Sequence, residues 1–277
     1  MPYSVVFYCL AEEDLDENVL RGKGLCDWVY QVFYQLAPHR KQQAVGTKKG
    51  PFTVSPLFAK RSPSEPGGHA EIGDHGFKVR TIKAGTQCRF RLTFLEDRLY
   101  EAMVDHVGPS TPILSHAGKS LTVTHILSSP QGADPWPCSQ TYEQLLDKAS
   151  VTCKKTRLQF VTPTTFCRHG GFSPLPDPQR VFKGFFQSWN WFSLMPLSAD
   201  LEMLIDRHIF LSDFKVSATK HNAGEGGRPS FTGWCEFVLL GRHHEEHVKE
   251  FNLLADYSFY CGTGDHTEMG MGVTRRI

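Results

Sequence analysis

Apolar and polar residues in this chain alternate in two periods, and their order is informative. Tyr3–Leu10 is rich in aromatic and β-branched residues and predicts a strand. A helix follows, with Leu25, Trp28, Val29, Val32, Phe33 and Leu36 at three- and four-residue spacing on one buried face. Phe52–Ala59 and Phe77–Ile82 predict strands. Gln87–Phe94 alternates Cys88, Phe90, Leu92 and Phe94 against Arg89, Arg91 and Thr93, which predicts a half-buried strand with the arginines on its wet face. Glu96–Val107 predicts a helix and Ser120–Ser128 a strand.

The order β-α-β-β-α-β is the ferredoxin-like unit. Ser128–Pro137, rich in Pro, Gly and Ser, predicts a linker, and the order then recurs. Arg157–Val161 predicts a strand, and Gln179–Leu194 a helix begun by Pro178. Ile209–Lys220 and Ser230–Leu240 predict a hairpin. Glu245–Ala255 predicts a helix and Met271–Arg275 the closing strand. The expected fold is α+β, two tandem ferredoxin-like (RRM-like) domains over residues 1–130 and 131–277. The halves show no visible sequence repeat, so the duplication rests on element order.

Composition narrows the class. The 277 residues are 40% hydrophobic and 21% charged, as in a folded globular protein. No apolar run approaches a membrane span, and the acidic run after the first strand is unlike a signal peptide. The eight cysteines stand singly with no C-x-x-C pair, which disfavours a zinc ribbon and fits reduced thiols in a cytoplasmic protein.

The formal charge of +1 hides segregation. Residues 28–64, 75–95 and 148–176 contain no Asp or Glu, yet each stretch carries several Lys and Arg. Any one block is ordinary solvated surface. Three in a nearly neutral chain point to a polyanion partner.

The carboxy-terminal CGTGDHTEMGMGVTRR holds Gly262, Gly264, Gly270 and Gly272 in a G-x-G-x5-G-x-G array. Glycine pairs permit left-handed backbone, and exposed amides in such a loop form a nest for anionic oxygens. The array fits poorly as a dinucleotide fingerprint, which needs G-x-G-x-x-G between a strand and a helix, and no G-x-x-x-x-G-K-[ST] marks a P-loop. A hairpin without ligand satisfies the same pattern. HHEEH at 243–247 invites a metal reading, but His244 stands where the zincin motif needs Glu, so a helix start explains it better. Phe182, Phe185, Phe186 and Trp189 have helical spacing and read as core rather than base-stacking platforms.

Four segments together carry a resemblance. GTGDHTEMGMG, PFTVSPLF (51–58), FVTPTTF (160–166) and PLPDPQRVFKGFFQSWN (174–190) resemble the repeat-associated RNA-binding proteins of CRISPR systems, specifically the Cas-six endoribonucleases that cut repeat transcripts into guide RNAs. That resemblance implies two ferredoxin-like domains. It also implies a metal-independent reaction without cofactor, in which a ribose 2′-hydroxyl attacks the adjacent phosphorus and leaves a 2′,3′-cyclic phosphate. Its expected partners are CRISPR repeat RNA and other subunits of an interference complex, with no membrane.

By the same resemblance, His39 occupies the place of a catalytic histidine, Lys48 or Lys49 that of a catalytic lysine, and Tyr30 that of an active-site tyrosine. Tyr30 lies about 100° round from Val29, off the apolar stripe, and helix packing is its competing role. Arg40, Lys41, Arg157, Arg168 and Arg275 would bind RNA beside the four glycines. The stretch from His39 to Phe52 is longer than the family spacing, and Asp265 and Glu268 stand where relatives carry Lys or Arg. These departures keep open a second reading, a non-catalytic guide-RNA-binding subunit.

Overall fold

The computed structural model describes residues 1–16, 23–36, 50–59, 81–114, 120–131, 134–168, 170–221 and 227–277. The chain forms two compact units. One comprises Tyr3–Ser139 with Glu268–Gly270; the other comprises Met1–Pro2, Gln140–Thr267 and Met271–Ile277.

The N-terminal unit runs β1 (Tyr3–Ala11), β2 (Leu15–Asp16), α1 (Lys23–Leu36), β3 (Phe52–Val54), β4 (Phe58–Ala59), β5 (Thr81–Ile82), β6 (Gln87–Phe94), α2 (Asp97–His106), β7 (Pro112–Leu114), β8 (Ser120–Leu127) and β9 (Cys138–Ser139). Its main sheet has the order β3-β6-β1-β8-β7, with β4 on β6 and β9 on β1. All pairings are antiparallel. Helix α1 follows β1 and α2 follows β6, so β1-α1-β3-β6-α2-β8 is one ferredoxin-like unit.

The period-two residues of β6 do enter the core. Cys88, Phe90, Leu92 and Phe94 are buried, as are Leu25, Trp28 and Val29 of α1. Phe7 stacks on Phe90 at 5.0 Å, and the Trp28 ring meets both edge-on.

The other face of β6 is not the wet face that alternation predicts. Arg91 is 3% exposed and Thr93 is fully buried. The segment read as a linker crosses that face. Trp136 is buried, its carbonyl accepts from Ser4 Oγ, and the Arg91 guanidinium lies 5.1 Å from its ring. Arg91 Nε donates to Ser4 Oγ at 2.6 Å, and Thr93 Oγ1 shares a 2.6 Å hydrogen bond with Thr53 Oγ1. Only Arg89 keeps its water-facing side, paired with Asp134 at 2.7 Å. Phe77–Arg80 of the predicted strand Phe77–Ile82 lie outside the described residues; Thr81 and Ile82 pair with β2.

The C-terminal unit runs α3 (Tyr142–Lys148), β10 (Lys155–Thr164), β11 (Phe166–Arg168), β12 (Gly171–Ser173), α4 (Pro178–Phe192), α5 (Leu201–His208), β13 (Ile209–His221), β14 (Arg228–Leu239), α6 (Glu245–Cys261) and β15 (Thr274–Arg276). The sheet order β13-β14-β10-β15 repeats the ferredoxin-like arrangement. Helix α4 starts where expected. Asp177 is its N-cap, accepting from the Gln179 amide, and Pro178 is the first helical residue, where a missing N–H costs nothing. Phe182, Phe185 and Trp189 are fully buried, with Phe182 stacked 5.2 Å from Phe251 of α6.

Two helices stand outside the order that periodicity predicts. Helix α3 has a reciprocal cap between Thr141 and Gln144, a signal present in the sequence. Helix α5 is about two turns long, too short for a period to show. Helix α6 outruns its predicted end because Tyr257, Ser258, Tyr260 and Cys261 pack inward. None of the described cysteines is in a disulfide.

Candidate functional site

The carboxy-terminal loop begins where α6 stops at Gly262, whose amide closes the helix on the Ser258 carbonyl. Gly262, Gly264, Gly270 and Gly272 have φ of 65°, 78°, 87° and 68°, the left-handed region that the array predicts. Space matters as much as dihedral. A Cβ at Gly264 would collide with the Thr165 carbonyl, and one at Gly272 with the Thr263 carbonyl. The loop is folded flush against its neighbours.

Many of its amides are already used. Thr263 N donates to Gly272 O, Asp265 N to Thr165 O, Gly272 N to Pro163 O and Val273 N to Thr162 Oγ1. These donors shape the loop rather than offer an anion nest. Asp265 Oδ2 accepts from the Cys167 amide at 2.6 Å, so this acid fastens the β11–β12 hairpin to the loop. His266 has φ 61°, a left-handed value that a non-glycine side chain rarely takes. Glu268–Gly270 belong to the N-terminal unit, and Met269 packs against that unit's core. Burial, with Glu268 and Asp27 adding charge, pushes the Cys26 thiol up to about 12.

The expected site residues fall in three groups. His39, Arg40, Lys41, Lys48 and Lys49 lie outside the described residues. Tyr30 is half-buried, packed on the N-terminal core with its ring edge-on to Phe52 at 5.3 Å. The basic residues of the C-terminal unit sit on or beside its sheet. Arg157 lies 4.2 Å over the Trp234 ring and donates to Glu236 at 3.1 Å. Ser212 and the cations Arg157 and Lys155 hold the Glu236 carboxyl below its usual range. Arg275 Nε donates to Gln159 Oε1 at 2.7 Å, on the strand beside Arg157. Arg168 pairs through its backbone with Gly171.

Sequence reasoning passed over Trp234, Phe172 and Arg228. Trp234 sits opposite Gln159 across β10–β14, and the Arg228 guanidinium lies 4.9 Å from the Phe172 ring. Their signal is cross-strand register, which no local pattern carries.

His244 is the N-cap of α6, and His247 meets Asp200 at 3.1 Å, so HHEEH opens a helix as expected. Among the described residues, no cluster of three or more His, Cys, Asp or Glu has metal-binding geometry. No described helix is long and apolar enough to cross a membrane.

Comparison with known proteins places this architecture. Residues 1–147 match the family model described as the CRISPR Cas6 N-terminal domain, and residues 158–274 match that of the CRISPR-associated endoribonuclease Cas6. A CRISPR-associated endoribonuclease Cas6 of Mycobacterium tuberculosis is 27% identical over 124 residues, which covers 44% of this chain and 38% of the relative's length. Among solved structures, a Cas6 product complex aligns over 100% of both chains with TM-score 0.77 and 22% identity. A Thermus thermophilus Cas6 aligns over 100% of this chain and 98% of its own with TM-score 0.71 and 22% identity. A Cas6-related protein of Pyrococcus furiosus aligns over 100% and 99% with TM-score 0.57 and 12% identity. At these identities the solved structures bear on the fold, which they share over its full length. With two matches that together span nearly all of the sequence, the chain belongs to the CRISPR-associated Cas6 family.

Proposed function

We propose that this protein is a metal-independent endoribonuclease that cuts CRISPR repeat transcripts into guide RNAs. The observation that carries the reading is the pair of Cas6 family matches at 1–147 and 158–274, in tandem on two ferredoxin-like units. The acid-free basic stretches of the sequence favour a polyanion partner, and solved Cas6 structures of this fold include product and substrate-mimic complexes.

The ribose 2′-oxygen attacks phosphorus as its proton passes to a base. The P–O5′ bond breaks, the leaving 5′-oxygen takes a proton, and the 2′,3′-cyclic phosphate remains. His39 moves protons at this linkage, since an imidazole titrates near neutrality. Lys48 or Lys49 offsets the charge that grows on the phosphorane. Tyr30 lies on the helix that leads to His39. Arg40, Lys41, Arg157, Arg168 and Arg275 hold the backbone, beside the loop shaped by Gly262, Gly264, Gly270 and Gly272.

The deciding experiment incubates purified protein with a CRISPR repeat RNA in EDTA. A single cut is expected, lost when the ribose 5′ of that linkage is 2′-deoxy. Tight binding with no cut under any condition would replace this reading with a guide-RNA-binding subunit.

A further inference from the structure

The glycine-rich loop contains one residue whose conformation its side chain opposes. His266 holds φ 61° among neighbours that reach left-handed values as glycines. Among the described residues, Ser110 is the one other non-glycine at positive φ. Such strain persists where the surroundings enforce it, and it gathers at ligand-binding positions. A glycine at 266 would adopt this backbone freely; an imidazole is there instead.

The imidazole is part of a cluster within the C-terminal unit. Its ring centroid lies 6.0 Å from that of Phe172, tilted by 48°. Arg228 sets its guanidinium 4.9 Å from the Phe172 ring. All three side chains are half-buried, which leaves part of each open to a ligand. The three come from different elements: the β11–β12 hairpin, the start of β14 and the glycine-rich loop.

Thr165, fully buried, ties those elements together. Its hydroxyl donates to Pro229 O at 2.8 Å and Ser173 O at 3.3 Å, and its carbonyl accepts from Asp265 N at 3.0 Å. The cluster is therefore held in place before any ligand arrives. Among the described residues no carboxylate pairs with Arg228, and its buried Nη1 has no hydrogen-bond partner. Asp265, the nearest acid in the loop sequence, turns Oδ2 to the Cys167 amide. A guanidinium stacked on the Phe172 ring, with the His266 ring alongside, suits a phosphate with an unpaired base, because single-stranded RNA is held by stacking on rings together with cationic contact.

We infer that Phe172, Arg228 and His266 form a subsite for one unpaired nucleotide of the substrate RNA, the rings receiving its base and Arg228 its phosphate. The inference rests on the proposed RNA-processing function and adds the residues that select an unpaired nucleotide.

The test measures equilibrium binding of a CRISPR repeat RNA, its cleavage and thermal unfolding for the wild type, Phe172→Leu, Arg228→Gln and His266→Gly. Each variant should lose roughly 5- to 100-fold in affinity, the range for one lost stacking or cationic contact. Abasic substitution at one unpaired position should weaken the wild type similarly and add little further loss in Phe172→Leu. His266→Gly should unfold no lower than the wild type, because glycine relieves the backbone while the RNA contact disappears. Variants that bind within about twofold of the wild type would overturn the subsite while leaving the proposed function standing. So would affinity losses that track falling unfolding temperatures and couple to no nucleotide. A wild type that neither binds nor cuts the repeat overturns both.

Discussion

Asp265 Oδ2 accepts from the Cys167 amide at 2.6 Å, while the Asp265 amide donates to the Thr165 carbonyl at 3.0 Å. One residue thus clamps the glycine-rich loop to both ends of a short chain segment. Asp265→Ala removes the charged acceptor, worth about 1–2 kcal/mol at a partly exposed position. The expected outcome is an unfolding temperature lower by a few degrees, read by thermal denaturation. Asp265→Asn, which keeps an acceptor, should recover much of the loss.

The glycines separate two kinds of cost. Gly85 has φ 79° with nothing within 4 Å of where a methyl group would stand, whereas at Gly264 and Gly272 the methyl would meet a carbonyl oxygen. Alanine at Gly85 should cost only the backbone strain, about 1 kcal/mol. Alanine at Gly264 or Gly272 should cost clearly more, since loop and strand must part. Denaturant midpoints at constant slope check this order.

On the N-terminal sheet, Ser4 Oγ accepts from Arg91 Nε at 2.6 Å and donates to the Trp136 carbonyl. Ser4→Ala removes both contacts in a buried setting, and a loss of roughly 1–3 kcal/mol is expected. Trp136→Ala should destabilise further by uncovering Arg91 and the sheet. Trp fluorescence during urea unfolding of Ser4→Ala checks the first, and circular dichroism checks both.

Glu250 is 4% exposed, with Oε1 accepting from the Ser198 amide at 2.5 Å and Oε2 unpartnered among the described residues. Burial raises its carboxyl above the ordinary value, and burial raises Asp256 likewise. A raised carboxyl binds its proton more tightly in the folded state. In the window from the unfolded value up to the raised value, stability therefore falls as pH rises. Glu250→Gln keeps an acceptor for Ser198 and cannot ionise. It should flatten that fall and raise stability near neutral pH, as unfolding measured from acid to neutral pH will show.

For the proposed reaction, His39→Ala should lower cleavage of repeat RNA by roughly 10²–10⁴-fold, the usual worth of a positioned proton-transfer group, with affinity little changed. Arg275→Gln should instead weaken binding and reduce the slope of log K against log salt by about 0.7–0.9, the signature of one lost phosphate contact. Single-turnover kinetics and salt titration separate the two.

Much of the fold was legible because strand and helix periods follow from local backbone geometry. The Cys88–Phe94 alternation, the Phe182–Trp189 spacing and the Asp177–Pro178 start each named a buried face or a boundary. Helices α3 and α5 escaped because one or two turns carry too few residues to show a period. Of the candidate site, the glycine array announced its left-handed backbone. It did not announce that its amides would be spent on Pro163, Thr165 and Gly272, since the first two acceptors arrive from a segment far earlier in the chain.

The sequence by itself determined which segments become strands and helices, the doubled β-α-β-β-α-β order and the family resemblance, because each is written in neighbouring residues. Tertiary structure alone decided that Arg91 is buried beneath Trp136 and that Phe172, Arg228 and His266 meet. Burial of a polar face and convergence of side chains depend on what the chain later lays across them, and that is a property of the closed fold.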